Sequence, residues 1–403
     1  MALVVHKYGG SSVGTIERIR AVARRCAAVR AAGDDLAVVV SAMKGETDRL
    51  LGLAAALSAL PDRREQDVLV ATGEQVSVAL LAIALKELGC EARSFLGHQV
   101  RILTDSSFNN ARIRDVDAAE LRGALGRGQV AVVAGFQGID AAGNITTLGR
   151  GGSDTTAVAI AAALGAARCD IYTDVDGVYT ADPNVCAAAR KLDHVSYEEM
   201  LELASLGAKV LQIRSVAIAS KYRLPVHTRS SFNDNPGTWL VESYPMMEDV
   251  VVLAVAHDLN QAQIQLADVP DRPGIAAVVF GALAADDINV DMIIQGVGAD
   301  GRNDVSFTVR KEDLERARRI IERVAGELGA AAPVVRADVC KVSVVGQGMR
   351  HHAGVAARMF STLAEQGINI LSISTSEIKV SCVIDARYAE LAVRSLHDVF
   401  IGA

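Results

Sequence analysis

The feature that most constrains the fold is an internal repeat near the C-terminus. The segments Gly274–Ile293 and Gly354–Ile373 share nine identical residues at 20 aligned positions. Each lies in a stretch whose pattern predicts strand, helix, strand, strand and helix, as in a compact βαββαβ module. The second stretch has only three strands, which leaves one sheet edge open, and the earlier apolar run Val250–Val255 can fill it. We therefore expect one module at residues 263–339, inserted into a second module made of residues 246–262 plus 340–403.

Residues 1–245 follow a different pattern. Short β-branched runs alternate there with amphipathic helical stretches, which predicts a mainly parallel sheet covered by helices on both faces. Half of the 403 residues are hydrophobic, a content that suits strands buried on both faces. The predicted strands are Leu3–Tyr8, Asp35–Ala42, Asp67–Ala71, Gln129–Ala134, Asn144–Leu148 and Asp170–Val175.

Composition and charge exclude several function classes. A membrane-spanning helix needs about 20 consecutive apolar residues, and the longest candidate run, Ala157–Ala167, is shorter. The apolar run at the N-terminus is too short for a signal peptide, so we expect a cytoplasmic protein. The formal net charge of −7 provides no basic surface for nucleic acid or a membrane. The six cysteines are scattered without a C-x-x-C pair, so we expect reduced thiols and no metal site made by side chains.

Two glycine-rich segments carry the strongest chemical signals. Lys7 and the G-G-S-S sequence just after it lie where a strand meets a helix, and the amides and lysine there can bind phosphate. An ordinary turn with a capping serine explains them equally well. In Thr147–Thr156, three glycines flank Arg150, and Ser153 or Asp154 can cap the following helix. Backbone amides beside a fixed cation suit an anionic substrate or a phosphoryl group in transfer, whereas a capped flexible loop does not explain the glycine cluster.

Other candidate residues are weaker signals. Glu74 lies in T-G-E-Q, which is also a capping box. Thr173, Asp174 and Tyr179 follow a strand at the end where open α/β sheets bind ligands. Asp182 belongs to an A-D-P turn and is explained by turn chemistry alone.

Taken together, the motifs resemble the aspartate kinase family. They are K-Y-G-G-S-S-V, S-A-M-x-x-x-T, T-G-E, T-T-L-G-R-G-G-S-D-T-T and Y-T-D-V-D-G-V-Y-T-A-D-P, in that order, followed by the doubled module. The resemblance is to the monofunctional kind. It implies an α/β fold in which an amino-acid-kinase-like αβα sandwich with a mainly parallel sheet, at residues 1–245, is followed by two ferredoxin-like βαββαβ (ACT) domains.

The activity implied is phosphorylation of the β-carboxylate of L-aspartate by ATP with Mg²⁺, the first step of lysine, threonine and methionine biosynthesis. Lys7 would contact the transferring phosphoryl group, and Arg150 and Asp154 would complete the catalytic set. The residues implied for ATP are Lys7, Gly9, Gly10, Ser11, Thr173, Asp174, Tyr179, Asp182 and Lys209. Those implied for aspartate are Ser41, Thr47, Glu74, Arg150 and Ser153, with Glu74 at the ammonium group and Arg150 at a carboxylate. Asn184 stands where the family usually has a basic residue.

The ACT domains imply feedback by lysine, threonine or both. The matching loop residues are Asp271, Gly274, Ile275, Ala276, Asn289 and Asp291 in the first copy, and Met349, Val355, Asn369 and Ile370 in the second. The resemblance also implies a homo-oligomer formed through the ACT domains, and Met246 resembles an internal start that gives some members a separate regulatory subunit. Modules that only dimerise are an alternative.

Two other functions fit part of the pattern. A relative acting on acetylglutamate or glutamate would share the glycine loops but would lack the tandem repeat. A non-catalytic amino-acid sensor would have no need of intact Lys7, Arg150 and Asp154.

Overall fold

A computed structural model describes residues 2–207, 210–244, 251–297 and 301–402. The described residues form two compact units. The first contains residues 2–178, 191–204 and 210–244, and the second contains residues 179–190, 205–207, 251–297 and 301–402. Residues 179–190 thus pack in the second unit, although they lie within the range 1–245 that the sequence assigns to the catalytic domain.

The first part of the chain alternates strands and helices. Its elements are β1 (Leu3–Tyr8), α1 (Ile16–Ala31), β2 (Asp35–Val40), α2 (Glu46–Leu57), α3 (Arg63–Val70), α4 (Thr72–Glu87), β3 (Ala92–Phe95), β4 (Ile102–Thr104), β5 (Ile113–Val116), α5 (Ala119–Gly126), β6 (Val130–Ala134), β7 (Gln137–Ile139), β8 (Ile145–Thr147), α6 (Gly152–Leu164), β9 (Arg168–Thr173), β10 (His194–Ser196), α7 (Tyr197–Ser205), α8 (Ile213–Tyr222), β11 (Val226–Ser230) and β12 (Thr238–Val241).

An eight-stranded sheet in the order β10-β12-β11-β9-β1-β2-β6-β3 forms the centre of this unit. Its neighbouring strands are parallel except for β11 and β12. Strand β1 lies between β2 and β9, with Lys7 opposite Val39 and Ile171. Because parallel strands end at the same edge, the turns after β1, β2 and β9 come together there. A smaller sheet, β5-β4-β7-β8, carries Thr147 at the end of β8.

The predicted strand Asp67–Ala71 is wrong, because Asp67–Val70 belongs to helix α3. Asp62 caps this helix by accepting a hydrogen bond from the backbone nitrogen of Glu65, and α4 follows directly. A short apolar run alone does not distinguish a buried helix from a strand. The α3–α4 stretch, residues 63–87, is long and apolar enough to cross a membrane, but half of its most apolar window is buried inside the unit, as in the core helix of a globular protein.

The second unit contains both copies of the repeat. Its elements are β13 (Ala254–Pro270), α9 (Ile275–Ala285), β14 (Val290–Val297), β15 (Arg302–Arg310), α10 (Leu314–Leu328), β16 (Val334–Val345), α11 (Val355–Glu365), β17 (Ile370–Ser376), β18 (Lys379–Asp385) and α12 (Ala389–Phe400). They build one six-stranded sheet in the order β14-β15-β13-β16-β18-β17.

The long strand β13 serves both repeats. Ala254–Asp258 pairs with Lys341–Val345, next to the second copy, whereas Gln261–Pro270 pairs with β15 of the first copy. A strand shared by the two copies is what the inserted arrangement predicts, and the domain bounds stay a prediction. Val250 itself lies outside the described residues.

Residues 179–190 take part in the core of the second copy. Ala181 and Cys186 pack in the same apolar cluster as Leu396 and Ile401. The carbonyl oxygen of Thr180 accepts a hydrogen bond of 2.8 Å from the backbone nitrogen of Val255. The Thr180 hydroxyl lies 2.9 Å from Nε2 of the buried His397. This segment is therefore an integral part of the second unit.

Candidate functional site

A cleft of about 600 Å³ opens where β1, β2 and β8 of the first unit end. It brings together eight of the residues predicted for catalysis and binding, namely Lys7, Gly10, Ser41, Thr47, Glu74, Arg150, Ser153 and Asp154. These residues come from four separate segments of the chain, so the fold brings them together.

Lys7 and Asp154 form a buried ion pair in the cleft. The Lys7 Nζ atom lies 2.6 Å from Oδ1 of Asp154, which belongs to the first turn of α6. The two residues are only 8% and 9% exposed. A Cβ atom on Gly9 would lie 3.3 Å from Nζ of Lys7, and one on Gly10 would lie 2.9 Å from the carbonyl oxygen of Ala42. Gly9 thus permits the backbone to approach the cation, as in a phosphate-binding turn, and Gly10 permits it to pack against the loop after β2.

Glu74 is a buried carboxyl group with no ion pair among the described residues. It lies in the first turn of α4 and is 2% exposed. Its Oε1 atom accepts a hydrogen bond of 2.9 Å from the backbone nitrogen of Ala42, whereas Oε2 has no hydrogen-bond partner among the described residues. Burial raises the pKa of Glu74 to about 8. A positively charged group of a ligand placed at Oε2 would satisfy this oxygen and restore the ionised form.

Arg150 lies in the loop between β8 and α6. It is exposed and lines the cleft, and its carbonyl oxygen accepts a hydrogen bond from the side chain of Gln212. Gly151 has a φ of 69°, and a Cβ atom there would lie 2.8 Å from Gln212, so the turn needs a glycine. Lys44 and Asp48 also line the cleft, which therefore carries charges of both signs and suits a zwitterionic ligand.

The residues predicted for ATP are spread over several segments. Thr173 and Asp174 follow β9, and the Thr173 hydroxyl donates a hydrogen bond to Asp174. Tyr179 and Asp182 belong to the segment that packs in the second unit. Asp182 accepts hydrogen bonds from the backbone and side chain of Asn184, as in a turn. Gly9 and Ser11 belong to the turn after β1, and Lys209 lies outside the described residues. ATP binding by these residues stays a prediction.

Sequence reasoning missed the residues beneath and beside the cleft. Gln66, Asn109 and Thr147 line it, and Asp67 is completely buried behind them. A sequence signal for Asp67 does exist, because it stands directly before the apolar run V-L-V-A. Acidic residues in such runs are buried only when other groups satisfy them.

A second, smaller cavity of about 130 Å³ lies in the first repeat copy. Asp271, Gly274, Ile275 and Ala276, all predicted to bind an effector, line it. Asn303 also lines it and donates a hydrogen bond of 2.8 Å to Oδ1 of Asp271.

The remaining predicted effector residues lie elsewhere. Asn289 and Asn369 are exposed at equivalent positions of the two copies. Asp291 forms an ion pair with the buried Lys341. The others, Met349, Val355 and Ile370, pack in or against the apolar core of the second copy. Effector contact by these residues stays a prediction.

The sequence matches two known families. Residues 2–230 match the amino acid kinase family, and residues 267–324 and 342–400 match an ACT domain family. The chain is 53% identical over 401 residues to an aspartate kinase of Stutzerimonas stutzeri, which covers 99% of this chain and 97% of the relative. It is also 53% identical over 402 residues to an aspartokinase of Thermus thermophilus, covering 99% of each chain.

Solved structures agree with these sequence matches. The crystal structure of E. coli aspartokinase III with aspartate and ADP has a TM-score of 0.83 at 27% identity, covering 98% of this chain and 99% of that one. The same enzyme with lysine and aspartate has a TM-score of 0.75 and covers 99% of both chains. The fold predicted from the sequence is thereby confirmed. The chain therefore belongs to the aspartate kinases, enzymes in which an amino acid kinase domain is joined to tandem ACT domains.

Proposed function

We propose that the enzyme transfers the γ-phosphoryl group of ATP to the β-carboxylate of L-aspartate in the cleft and so forms 4-phospho-L-aspartate. The observation that carries this assignment is the pairing of two features in one cleft. The buried Lys7–Asp154 ion pair is suited to a phosphoryl group. Glu74 has an oxygen without a hydrogen-bond partner in the part of the chain that the structure describes, and that oxygen is suited to an ammonium group. Aspartate supplies that ammonium group, and its α-carboxylate suits Arg150.

The chemistry needs little proton transfer. The side-chain carboxyl group of aspartate has a pKa of about 3.9 and is ionised at neutral pH, so its attack on phosphorus requires no general base. The difficulty lies in bringing two anions together. Lys7 supplies positive charge at the transferring group, and Asp154 holds the ammonium of Lys7 in place. Thr47, Ser41 and Ser153 would orient the substrate, so catalysis depends on positioning and electrostatics.

The co-substrate would be ATP with Mg²⁺, which offsets the negative charge of the phosphates when bound. ADP in the structure of E. coli aspartokinase III supports a nucleotide co-substrate. Within the described part of the chain, no group of three or more histidine, cysteine or acidic side chains could hold a metal ion. Mg²⁺ would be held mainly by phosphate oxygens and water, with Asp154 as the carboxylate that lies beside Lys7.

We also infer that the enzyme is cytoplasmic, catalyses the first step of lysine, threonine and methionine biosynthesis, and is inhibited through its ACT domains. The effector would be lysine, threonine or both, and the structure of E. coli aspartokinase III in complex with lysine supports lysine among them. The domains would be residues 1–245, 263–339, and 246–262 plus 340–403, with the segment 179–190 of the first range packed in the second unit. A homo-oligomer through the ACT domains, and a separate regulatory subunit starting at Met246, complete the proposal.

A coupled assay of ADP formation tests the substrate assignment. Aspartate, glutamate and acetylglutamate are compared at equal concentrations, with hydroxylamine trapping to detect the acyl phosphate. We expect turnover with aspartate and trapping of its β-hydroxamate. Comparable kcat/KM with glutamate or acetylglutamate would refute the assignment. Lysine and threonine, added singly and together, test the regulation, and unchanged rates in all three cases would refute it.

A further inference from the structure

Asp67 is a buried carboxyl group that joins three segments beneath the cleft. It lies in α3 and is completely buried. Its two oxygens accept hydrogen bonds from the backbone nitrogen of Asn109 at 3.1 and 3.0 Å, from the backbone nitrogen of Thr147 at 2.8 Å, and from the Thr147 hydroxyl at 2.6 Å. Burial raises the pKa of Asp67, and these hydrogen bonds oppose that rise. The Asp67 carboxyl group therefore accepts its hydrogen bonds from two residues that line the cleft.

The residues that Asp67 holds belong to the substrate side of the cleft. Thr147 is the last residue of β8 and leads directly into the loop that carries Arg150. Asn109 has a left-handed backbone with φ 70°, and its side chain donates a hydrogen bond of 2.7 Å to Gln66. The carbonyl oxygen of Asn109 lies 3.0 Å from where a Cβ atom on Gly149 would be, so the two loops are packed together.

We propose that Asp67 is a positioning residue for the aspartate subsite, because it fixes the start of the Arg150 loop through Thr147 and Asn109. The inference rests on the proposed role of Arg150 at a substrate carboxylate. The side-chain hydrogen bonds of Asp67 within the described residues go to Asn109 and Thr147 and not to the segment that carries Lys7 and Gly10, so we expect it to affect the nucleotide side of the reaction much less. A misplacement of about 1 Å in such a loop is enough to change rates by about 100-fold.

The other contacts of the loop limit the expected effect. Arg214 donates hydrogen bonds of 2.6 Å to the carbonyl oxygens of Leu148 and Ala111, and Gln212 holds the carbonyl of Arg150. Loss of Asp67 therefore removes the acceptor of the Asn109 and Thr147 backbone amides. The carbonyl oxygens of Leu148 and Arg150 keep their hydrogen bonds to Arg214 and Gln212. We expect a weakened subsite and not a collapsed one.

The test compares Asp67→Ala with Asp67→Asn by steady-state kinetics. Alanine leaves the two backbone amides without an acceptor, so we expect the aspartate KM to rise about 10-fold or more while the ATP KM changes less than about twofold. Asparagine keeps a carbonyl oxygen for both amides and can donate to the Thr147 hydroxyl. It should restore the aspartate KM to within about threefold of the native value.

Asp140→Ala is the matched control. Asp140 is 3% exposed and accepts hydrogen bonds from Ala142, Asn144 and Ser106 at the far end of the β7–β8 hairpin. Its removal also leaves donors unpaired but does not touch the Arg150 loop. We expect its aspartate KM to stay within about twofold of native. An equal rise in Asp140→Ala, or an equal rise of both KM values in Asp67→Ala, would overturn the positioning role.

Two further variants distinguish a failure of this inference from a failure of the proposed substrate site. If Arg150→Ala leaves the aspartate KM unchanged, the proposed substrate site fails. If Arg150→Ala raises it and Asp67→Ala does not, only the positioning role fails. Should Asp67→Ala not fold, Thr147→Val decides, because it removes only the hydroxyl donor. We then expect a rise of about threefold in the aspartate KM, and no rise would overturn the inference.

Discussion

Glu74 should make aspartate binding depend on pH. Its pKa is raised to about 8 by burial, so the empty site is mostly protonated at neutral pH. The substrate ammonium group needs the ionised carboxylate at Oε2, so a proton must leave Glu74 when aspartate binds. Aspartate affinity should therefore rise with pH until Glu74 is fully ionised. In the empty enzyme, the free energy of unfolding falls as pH rises from the ordinary pKa of 4.5 to the raised pKa of about 8, because Glu74 ionises in the unfolded chain before it ionises in the folded enzyme.

The magnitude follows from the fraction of Glu74 that is ionised. With a pKa of about 8, about 9% of the sites are ionised at pH 7, and ionising the rest costs about 1.4 kcal/mol. If only the ionised form binds, the aspartate KM falls about 25-fold between pH 6.5 and pH 8.5. Glu74→Gln keeps the acceptor for the Ala42 amide but cannot titrate. Its aspartate KM should be raised and nearly constant over the same range.

The assay measures initial rates of ADP formation at saturating Mg²⁺ and ATP from pH 6.5 to 8.5. The other charged groups that line the cleft are Lys7, Lys44, Asp48, Arg150 and Asp154. All of them remain in Glu74→Gln, so the difference between the two profiles isolates Glu74. A native KM that does not change with pH, or an equal slope in Glu74→Gln, would refute the reasoning.

Three further outcomes are expected. Lys7→Ala should lower kcat about 100-fold or more, because a preorganised charge at the transferring group is lost, and raise the aspartate KM much less; near-native turnover would remove Lys7 from the mechanism. Arg150→Ala should raise the aspartate KM about 10-fold or more with a smaller change in kcat, because hydrogen bonds to charged groups contribute about 1.5–3 kcal/mol; steady-state kinetics checks both. In the second unit, Asp291→Ala leaves the ammonium of Lys341 buried without its partner, so it should lower the free energy of unfolding by about 2 kcal/mol, whereas Lys341→Met should cost less than about 1 kcal/mol. Denaturant unfolding measures both changes, and equal losses would contradict the asymmetry.

The sequence predicts the central elements of the fold well, and several of the residues that it singles out lie in one cleft. The bounds of β1 agree with the prediction Leu3–Tyr8, because an apolar strand followed by two glycines has clear limits. Lys7, Glu74, Arg150 and Asp154 do meet in one cleft. For Glu74 the residues alone left a capping role open, and only the family resemblance indicated an ammonium site.

The features that the sequence did not predict depend on distant partners. Asp67 is 42 residues from Asn109 and 80 residues from Thr147, and Lys341 is 50 residues from Asp291. Neither pairing follows a helix or strand period, so no local pattern predicts it. The helix at Asp67–Val70 differs from the predicted strand for a related reason, since its packing against α2 and β8 decides its conformation more than its composition does.

The packing of residues 179–190 has a consequence for any product of an internal start. A polypeptide that begins at Met246 carries both ACT repeats but lacks Ala181 and Cys186, which fill the core of the second copy, and Thr180, which accepts the hydrogen bond of Val255. Such a product would expose apolar surface that residues 179–190 cover in the chain described above. We expect it to be stable only when a second polypeptide supplies that cover, so its abundance would follow the supply of that partner.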